Sequence, residues 1–424
     1  MKIAIVGTGI AGNLAAYRLS REHDLVVYES GGHVGGHTHT HEVEQAGRRY
    51  HVDTGFIVFN DWTYPNFIGL LDELGVASQA SSMSFSVRDE RSGVEYNGTS
   101  LNTLFAQRRN LLRPTFLRMI RDILRFNREA PALLGAAGEG PSLGEYLADG
   151  GYAREFIEHY ILPMGAAIWS TAPEHIERFP ARFFIRFFHH HGMLSVDERP
   201  QWRVIRGGSA RYVEPLTAPF RARIRLNTPV EWVRRLPGHV VVKSCDHEAE
   251  KFDALFLACH SDEALALLSD ASPVEREVLG AIPYQRNEAV LHTDSRLLPR
   301  AKRAWGAWNY HVPAAPRSRV ALTYNMNILQ SLDSPEPFLV TLNHSESIDP
   351  ARILKRIAYD HPLYTAQGVA AQARQRELNG WQRTYFCGAY WRNGFHEDGV
   401  TSALAALEHF TEDQRAQRPL YRTG

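Results

Sequence analysis

Six residues near the N-terminus, Gly7-Thr8-Gly9-Ile10-Ala11-Gly12, have the spacing that binds a dinucleotide pyrophosphate. Gly7 permits a tight turn, Gly9 lets backbone reach the phosphates, and Gly12 lets a helix pack close on a strand. The flanking residues agree. Residues 3–6 (IAIV) are fully apolar and read as a buried parallel strand, and residues 13–20 continue at helical spacing. Such a helix points free N–H groups and its positive dipole end at the phosphates. The next apolar run, 25–28, ends at Glu29, about twenty residues past Gly9. A carboxylate there accepts hydrogen bonds from ribose hydroxyls and repels a 2′-phosphate. Gly7, Gly9, Ile10, Ala11, Gly12 and Glu29 are therefore the expected cofactor contacts at this end.

Glu29 leads into a second glycine-rich stretch, Ser30-Gly31-Gly32-His33-Val34-Gly35-Gly36-His37-Thr38. Simple nicotinamide dehydrogenases usually start a crossover helix here, so a nicotinamide-using dehydrogenase is the least favoured reading. A loop of small residues instead carries the chain past the same pyrophosphate again. On these residues the chain resembles the flavin-containing amine oxidase superfamily, which includes monoamine oxidases, protoporphyrinogen oxidases and phytoene desaturases. It looks closest to a bacterial subgroup of NAD/FAD-binding oxidoreductases whose substrate is unassigned. In the superfamily the stretch reads acid, Gly-Gly-Arg, then Thr; here His37 stands at the Arg position. A neutral imidazole is a weaker phosphate partner than guanidinium.

The resemblance implies FAD as cofactor, with Gly35, Gly36, His37 and Thr38 beside its phosphates. Asp53-Thr54-Gly55-Phe56 is similar to the turn that lies under the flavin, making Thr54, Gly55 and Phe56 expected contacts. The stretch from Trp202 to Val230 is similar to the segment whose backbone holds the adenine, and Val230 is its expected contact. The closing segment, Gly388 to Val400, is similar to the superfamily's last flavin motif. There a helix N-terminus faces the ribityl chain and ring O2, so Gly388, Glu397, Asp398, Gly399 and Val400 are carried over. His396-Glu397-Asp398 is one residue longer and more polar than the usual aromatic-x-Glu-Gly, and an acidic N-cap is the alternative use of its carboxylates.

Chemistry in such a protein comes mainly from the flavin, which the protein orients and tunes. The resemblance places Phe395 against the substrate, and its neighbour His396 is the candidate proton shuttle. Amine oxidases of the superfamily often carry a lysine near flavin N5. The similar stretch here, Tyr284 to His292, has none. That absence argues against amine oxidation and leaves desaturation or isomerisation of a C–C bond more open. The expectation is an FAD-dependent oxidoreductase that takes a hydride from an apolar, fatty-acyl or lipid-like substrate onto N5. Its rivals are a peroxide-producing amine oxidase and a flavin-bound redox partner without turnover.

These residues need elements to hold them. A chain of 424 residues exceeds one compact core and suggests two interleaved domains. The expected fold class is α/β: a Rossmann-type FAD-binding domain from 1–74, 201–270 and 376–424, interleaved with an α+β substrate domain from 75–200 and 271–375. Aromatic residues around Trp169, Phe183, Phe184, Phe187 and Phe188 suit the wall of an apolar pocket, and Trp308-Asn309-Tyr310 and Tyr324-Asn325 read as pocket-lining strands. Arginines at 108, 109, 113, 118, 121, 125 and 128 accompany a helix over 115–128, with Phe116, Leu117, Ile120, Ile123, Leu124 and Phe126 on its apolar side. The favoured reading is a core-facing helix with a solvated arginine edge. The alternative rests it on an anionic membrane or an acyl-carrier protein.

Zero formal charge gives no reason to expect a nucleic-acid partner. Three scattered cysteines suggest a reducing compartment and no zinc site. His37, His39 and His41 would share one face of a strand, but no cysteine or acid joins them at fixed spacing, so no metal is expected. No apolar run reaches the ~18 residues of a membrane span. A cytoplasmic protein, in the alternative peripheral at the inner membrane face, is the expected location.

Overall fold

The structure is a computed structural model describing residues 1–136, 140–315 and 319–417. The N-terminal strand Lys2–Val6 is central in a five-stranded sheet. Its order is Ile224–Arg225, Asp24–Tyr28, Lys2–Val6, Ala254–Leu257, Thr384–Phe386. Every pairing is parallel. Burial on both faces explains the unbroken apolar run at 3–6, since alternate side chains feed two different cores. Ile3 and Ile5 pack with the helices Ile10–Leu19 and His396–Gln417. Ala4 and Val6 pack under an antiparallel ribbon of Val230–Leu236, His239–Ser244 and Glu250–Phe252. Distant parts of the chain thus build one sheet, with its strand ends directed at one edge.

A second sheet of seven strands runs in the order Ile353–Pro362, Tyr284–His292, Leu339–Leu342, Ala321–Asn325, Trp308–Val312, Phe85–Asp89, Glu95–Asn97. It is antiparallel except where Trp308–Val312 meets Phe85–Asp89. Helices Pro114–Glu129, Leu162–Trp169 and Ala181–His190 share its core. Phe183, Phe184, Phe187 and Phe188 are all buried there. His189 and His190 are exposed at the end of that helix, and only His191 of the three turns inward.

The arginine-rich helix forms over Pro114–Glu129, but its phase differs from the sequence reading. Phe116, Met119, Asp122 and Phe126 are buried, whereas Leu117 and Leu124 are 44% and 53% exposed. The reason is tertiary. Asp122 turns inward to accept a hydrogen bond from the Ala153 amide at 2.8 Å, which fixes the helix rotation. Among the described residues no helix is long and apolar enough to cross a membrane, and no group of histidine, cysteine and acidic residues could hold a metal ion. The strand after the second glycine loop begins only at Thr40. His37 is therefore separated from His33, His39 and His41, whose rings stack at 4.0 Å spacings.

Candidate active site

The helix Ile10–Leu19 starts at Gly9 with no side-chain cap and no acid in its first turn, leaving its N–H groups free for an anion. A Cβ at Gly12 would overlap the Gly7 carbonyl oxygen, so this glycine serves the turn itself. Glu29 is fixed at the strand end: its Oε2 accepts from the Thr8 amide at 3.1 Å and its Oε1 from the Gly31 amide at 2.7 Å. The second glycine loop folds onto the first. The Gly35 amide donates to the Thr8 carbonyl at 3.0 Å, and a Cβ at Gly36 would lie 3.0 Å from Gly9 Cα. The far end of the chain arrives at the same place. A Cβ at Gly399 would lie 2.7 Å from Ile10 Cγ2, which sets two helix N-termini side by side.

A cavity of about 380 Å³ opens over these groups. Gly7, Gly9, Ile10, Ala11 and Glu29 line one part, and Gly35, Gly36, His37, Gly55 and Phe56 continue the wall. Gly388, Phe395 and His396 come from the closing segment. The seven-stranded sheet and its helices add Ile168, Trp169, Ser170, Tyr284, Trp308, Tyr324, His361 and Tyr364. Strand ends and helix starts from distant parts of the chain thus meet at one crevice.

Several expected contacts lie behind this wall rather than on it. Gly12 packs on Gly7 and Ala258, while Gly399 and Val400 pack the two helices together. The Thr38 hydroxyl bonds with Tyr212 Oη at 2.7 Å, and the Thr54 hydroxyl with Tyr359 Oη at 3.0 Å. Val230 opens the antiparallel ribbon two residues past Thr228, whose amide donates to the Glu29 carbonyl at 2.8 Å.

The two acids are spent on protein. Glu397 accepts from the Asn66 amide at 3.1 Å and the Phe67 amide at 2.8 Å, capping the helix Pro65–Glu73 from another element. Asp398 accepts from the Phe395 amide at 2.9 Å, and burial pushes its carboxyl up to about 7. Glu397 and Asp398 lie outside the cavity lining, and their side chains cap helices. Glu397→Ala is expected to lower stability by about 2 kcal/mol, because two buried amides lose an acceptor. Urea unfolding of the purified variant checks this.

His396 lines the cavity but is held by protein groups. Its ring stacks on Phe56 with centroids 3.6 Å apart, and Nε2 meets Tyr212 Oη at 2.7 Å and Thr38 Oγ1 at 3.2 Å. Burial lowers its pKa to about 3. An imidazole stacked, bonded and neutral near pH 7 holds the loop in place and is a poor proton shuttle. Phe395 remains at the cavity, stacked on Phe187 at 5.1 Å.

Sequence reasoning missed a histidine group. His37 stacks on Tyr359 at 4.8 Å, with His361 and His260 at 5.4 and 6.0 Å. Burial and the neighbouring imidazoles hold His37 well below the usual range, and His361 falls to about 4. No lysine or arginine lines the cavity among the described residues. Backbone amides and imidazoles are therefore the groups available to a pyrophosphate. Alternation along Ile353–Pro362 places Tyr359 and His361 on one face, a signal legible only once that stretch is known to be a strand.

A family model, flavin containing amine oxidoreductase, matches residues 10–293. The chain belongs to this family. Its cofactor is FAD, and it is a flavin-dependent oxidoreductase. No curated protein matches the chain. Among solved structures it is similar to cyclohexylamine oxidase from Brevibacterium oxydans IH-35A, at 15% identity and TM-score 0.71 over 98% of this chain and 99% of that one. A CLA-producing fatty acid isomerase from P. acnes aligns at 17% identity and TM-score 0.68, covering 96% and 98%. Putrescine oxidase, solved with putrescine bound, aligns at 15% and 0.67, covering 97% and 99%. The cavity fits the cofactor: Trp308 Nε1 and Tyr364 Oη are buried at its lining without a protein partner. Polar groups placed this way satisfy their hydrogen bonds on a bound molecule.

Proposed function

We propose that this protein is a dehydrogenase or desaturase acting on an apolar, acyl-chain-like substrate. The observation that carries the reading is the wall of the chamber. Ile57, Val58, Ile168, Trp169, Trp308, Tyr324 and Phe395 make it aromatic and aliphatic, and no lysine lines it among the described residues. Such a surface binds by excluding water, and the charged groups elsewhere in the lining are the acids Glu29, Glu263 and Asp360. The strand Tyr284–His292, which has no lysine, turns only Tyr284 to the cavity.

When bound, FAD supplies a ring that accepts a hydride from a C–H bond held over it. The chain's own residues do the holding. Phe395 is braced by Phe187, and Trp169 by Phe179 and Phe187 at 5.2 and 4.9 Å, so this wall is set before substrate arrives. Ser170 adopts left-handed backbone (φ 52°) at the end of Leu162–Trp169, which fixes the direction of Trp169. Backbone amides at the start of His396–Gln417 favour negative charge. Support also comes from the shared fold of the P. acnes isomerase, whose substrate is a fatty acid.

The test is anaerobic mixing of the flavoprotein with fatty acids, acyl phospholipids and a panel of primary amines. Loss of the oxidised flavin band with an acyl lipid, and not with amines, is the expected result. Bleaching by an amine with peroxide released in air, and none by any acyl lipid, would overturn the reading.

A further inference from the structure

The exposed face of the helix Pro114–Glu129 and the turn before it carry a combination the rest of the surface lacks a use for. Leu101, Leu111, Leu112, Leu117 and Leu124 are 75%, 48%, 89%, 44% and 53% exposed. Leu117, Arg121, Leu124 and Arg128 recur at i, i+4, i+7 and i+11, which puts them on one helical stripe. Between residues 101 and 129 the sequence holds seven arginines and two acids, Asp122 and Glu129, the latter exposed and paired with Arg128 at 2.8 Å. Asp122 is buried, so the arginines outnumber the one exposed acid and the face is net positive.

We propose that this face docks on an anionic lipid bilayer, with the leucines entering the headgroup boundary and the arginines paired to lipid phosphates. Alternating exposed leucine and arginine on one stripe is the pattern of a helix lying in a membrane interface. A solvated edge would not need leucines, and a protein partner would not need so uniform a charge. The helix is anchored for that task. Phe116, Met119 and Phe126 hold its other side in the core. It packs against Arg154–Phe156 and the π-helical turn Ile157–Ile161, and this turn runs directly into the helix Leu162–Trp169 that ends at the cavity. Docking would therefore seat the chamber next to a reservoir of acyl chains. This last step rests on the acyl-chain reading above; the docking itself does not.

Flotation of the holoenzyme with vesicles tests it. Vesicles of phosphatidylglycerol in phosphatidylcholine are expected to carry the protein at low salt, with release as salt rises and little binding to phosphatidylcholine alone. The double variant Leu112→Glu/Leu117→Glu changes two exposed positions, so flavin content and melting stay unchanged while partitioning falls at least ~10-fold. Arg118→Glu/Arg121→Glu is expected to remove most of the salt dependence. Wild-type protein left in solution at low salt, or variants that float as well as wild type, would overturn the docking. So would equal binding to both vesicle types. A wild-type dimer that the leucine variant dissociates, with no vesicle binding, would assign the face to a second copy instead. Vesicle binding without flavin bleaching by any lipid would sink only the proposed substrate.

Discussion

Gly9→Val is expected to purify as a folded, colourless protein. Gly9 has φ −65° and ψ 179°, a conformation open to any L-residue, and a Cβ built on it meets nothing within 4 Å. The substitution therefore strains no backbone, and its Cβ overlaps no protein atom. Its methyl groups enter the space directly over the free amides of Ile10–Leu19, where a pyrophosphate must approach to bond them. Forced overlap of that kind costs about 3 kcal/mol, or ~100-fold in FAD affinity. Gly12→Ala provides the contrast. There the Cβ overlaps the Gly7 carbonyl oxygen, so folding itself is lost together with the flavin. Flavin absorbance per protein, with a thermal melt of each variant, separates the two. A yellow Gly9→Val protein at full occupancy would remove the cofactor from this crevice.

That contrast also shows what kind of information the sequence carries. Glycines in a strand–turn–helix are constrained by their immediate neighbours, so Gly7, Gly9 and Gly12 were legible, as was the acid Glu29 that ends the next strand. The return of the chain near Gly399 was legible because a second helix start has the same local signature. Side-chain direction was not. His396 follows Phe395 in the sequence, and only the fold shows its ring turned onto Phe56 and Tyr212. Glu397 is the cap of a helix 331 positions earlier, a partner no local pattern names. Helical periodicity predicted a helix over 115–128 but not its rotation, since leucine, isoleucine and phenylalanine span about half of its circumference and the buried Asp122 decides the phase. The histidine group around His37 depends on strand pairing across the second sheet, which is equally invisible in one chain read alone.

Asp53→Ala is expected to cost about 4 kcal/mol and to release flavin. The carboxylate is fully buried and joins three segments of chain. It accepts from the Ser209 amide at 2.9 Å, the Ser209 hydroxyl at 2.9 Å and Gln330 Nε2 at 3.0 Å, with Thr40 Oγ1 a further donor. Alanine leaves the buried Ser209 amide without its acceptor and takes one acceptor each from the Ser209 hydroxyl, Gln330 and Thr40, at roughly 1–3 kcal/mol for each group left unpaired. The same residue begins the turn that brings Gly55 and Phe56 to the cavity, so the turn loosens with it. A pH signature identifies the cause. Burial raises the Asp53 carboxyl from 3.8 to about 6, outweighing the pull of its donors. A folded-state pKa raised above the unfolded value means the native protein holds this proton more tightly. Its contribution is therefore greatest below about pH 4 and declines as pH rises toward 6, by on the order of 3 kcal/mol. Asp53→Asn cannot titrate. The stability advantage of wild type over Asp53→Asn should shrink by that amount between pH 4 and pH 7, measured by urea unfolding at each pH. An advantage that grows over this range would mean that the donors dominate and that the carboxylate is ionised throughout.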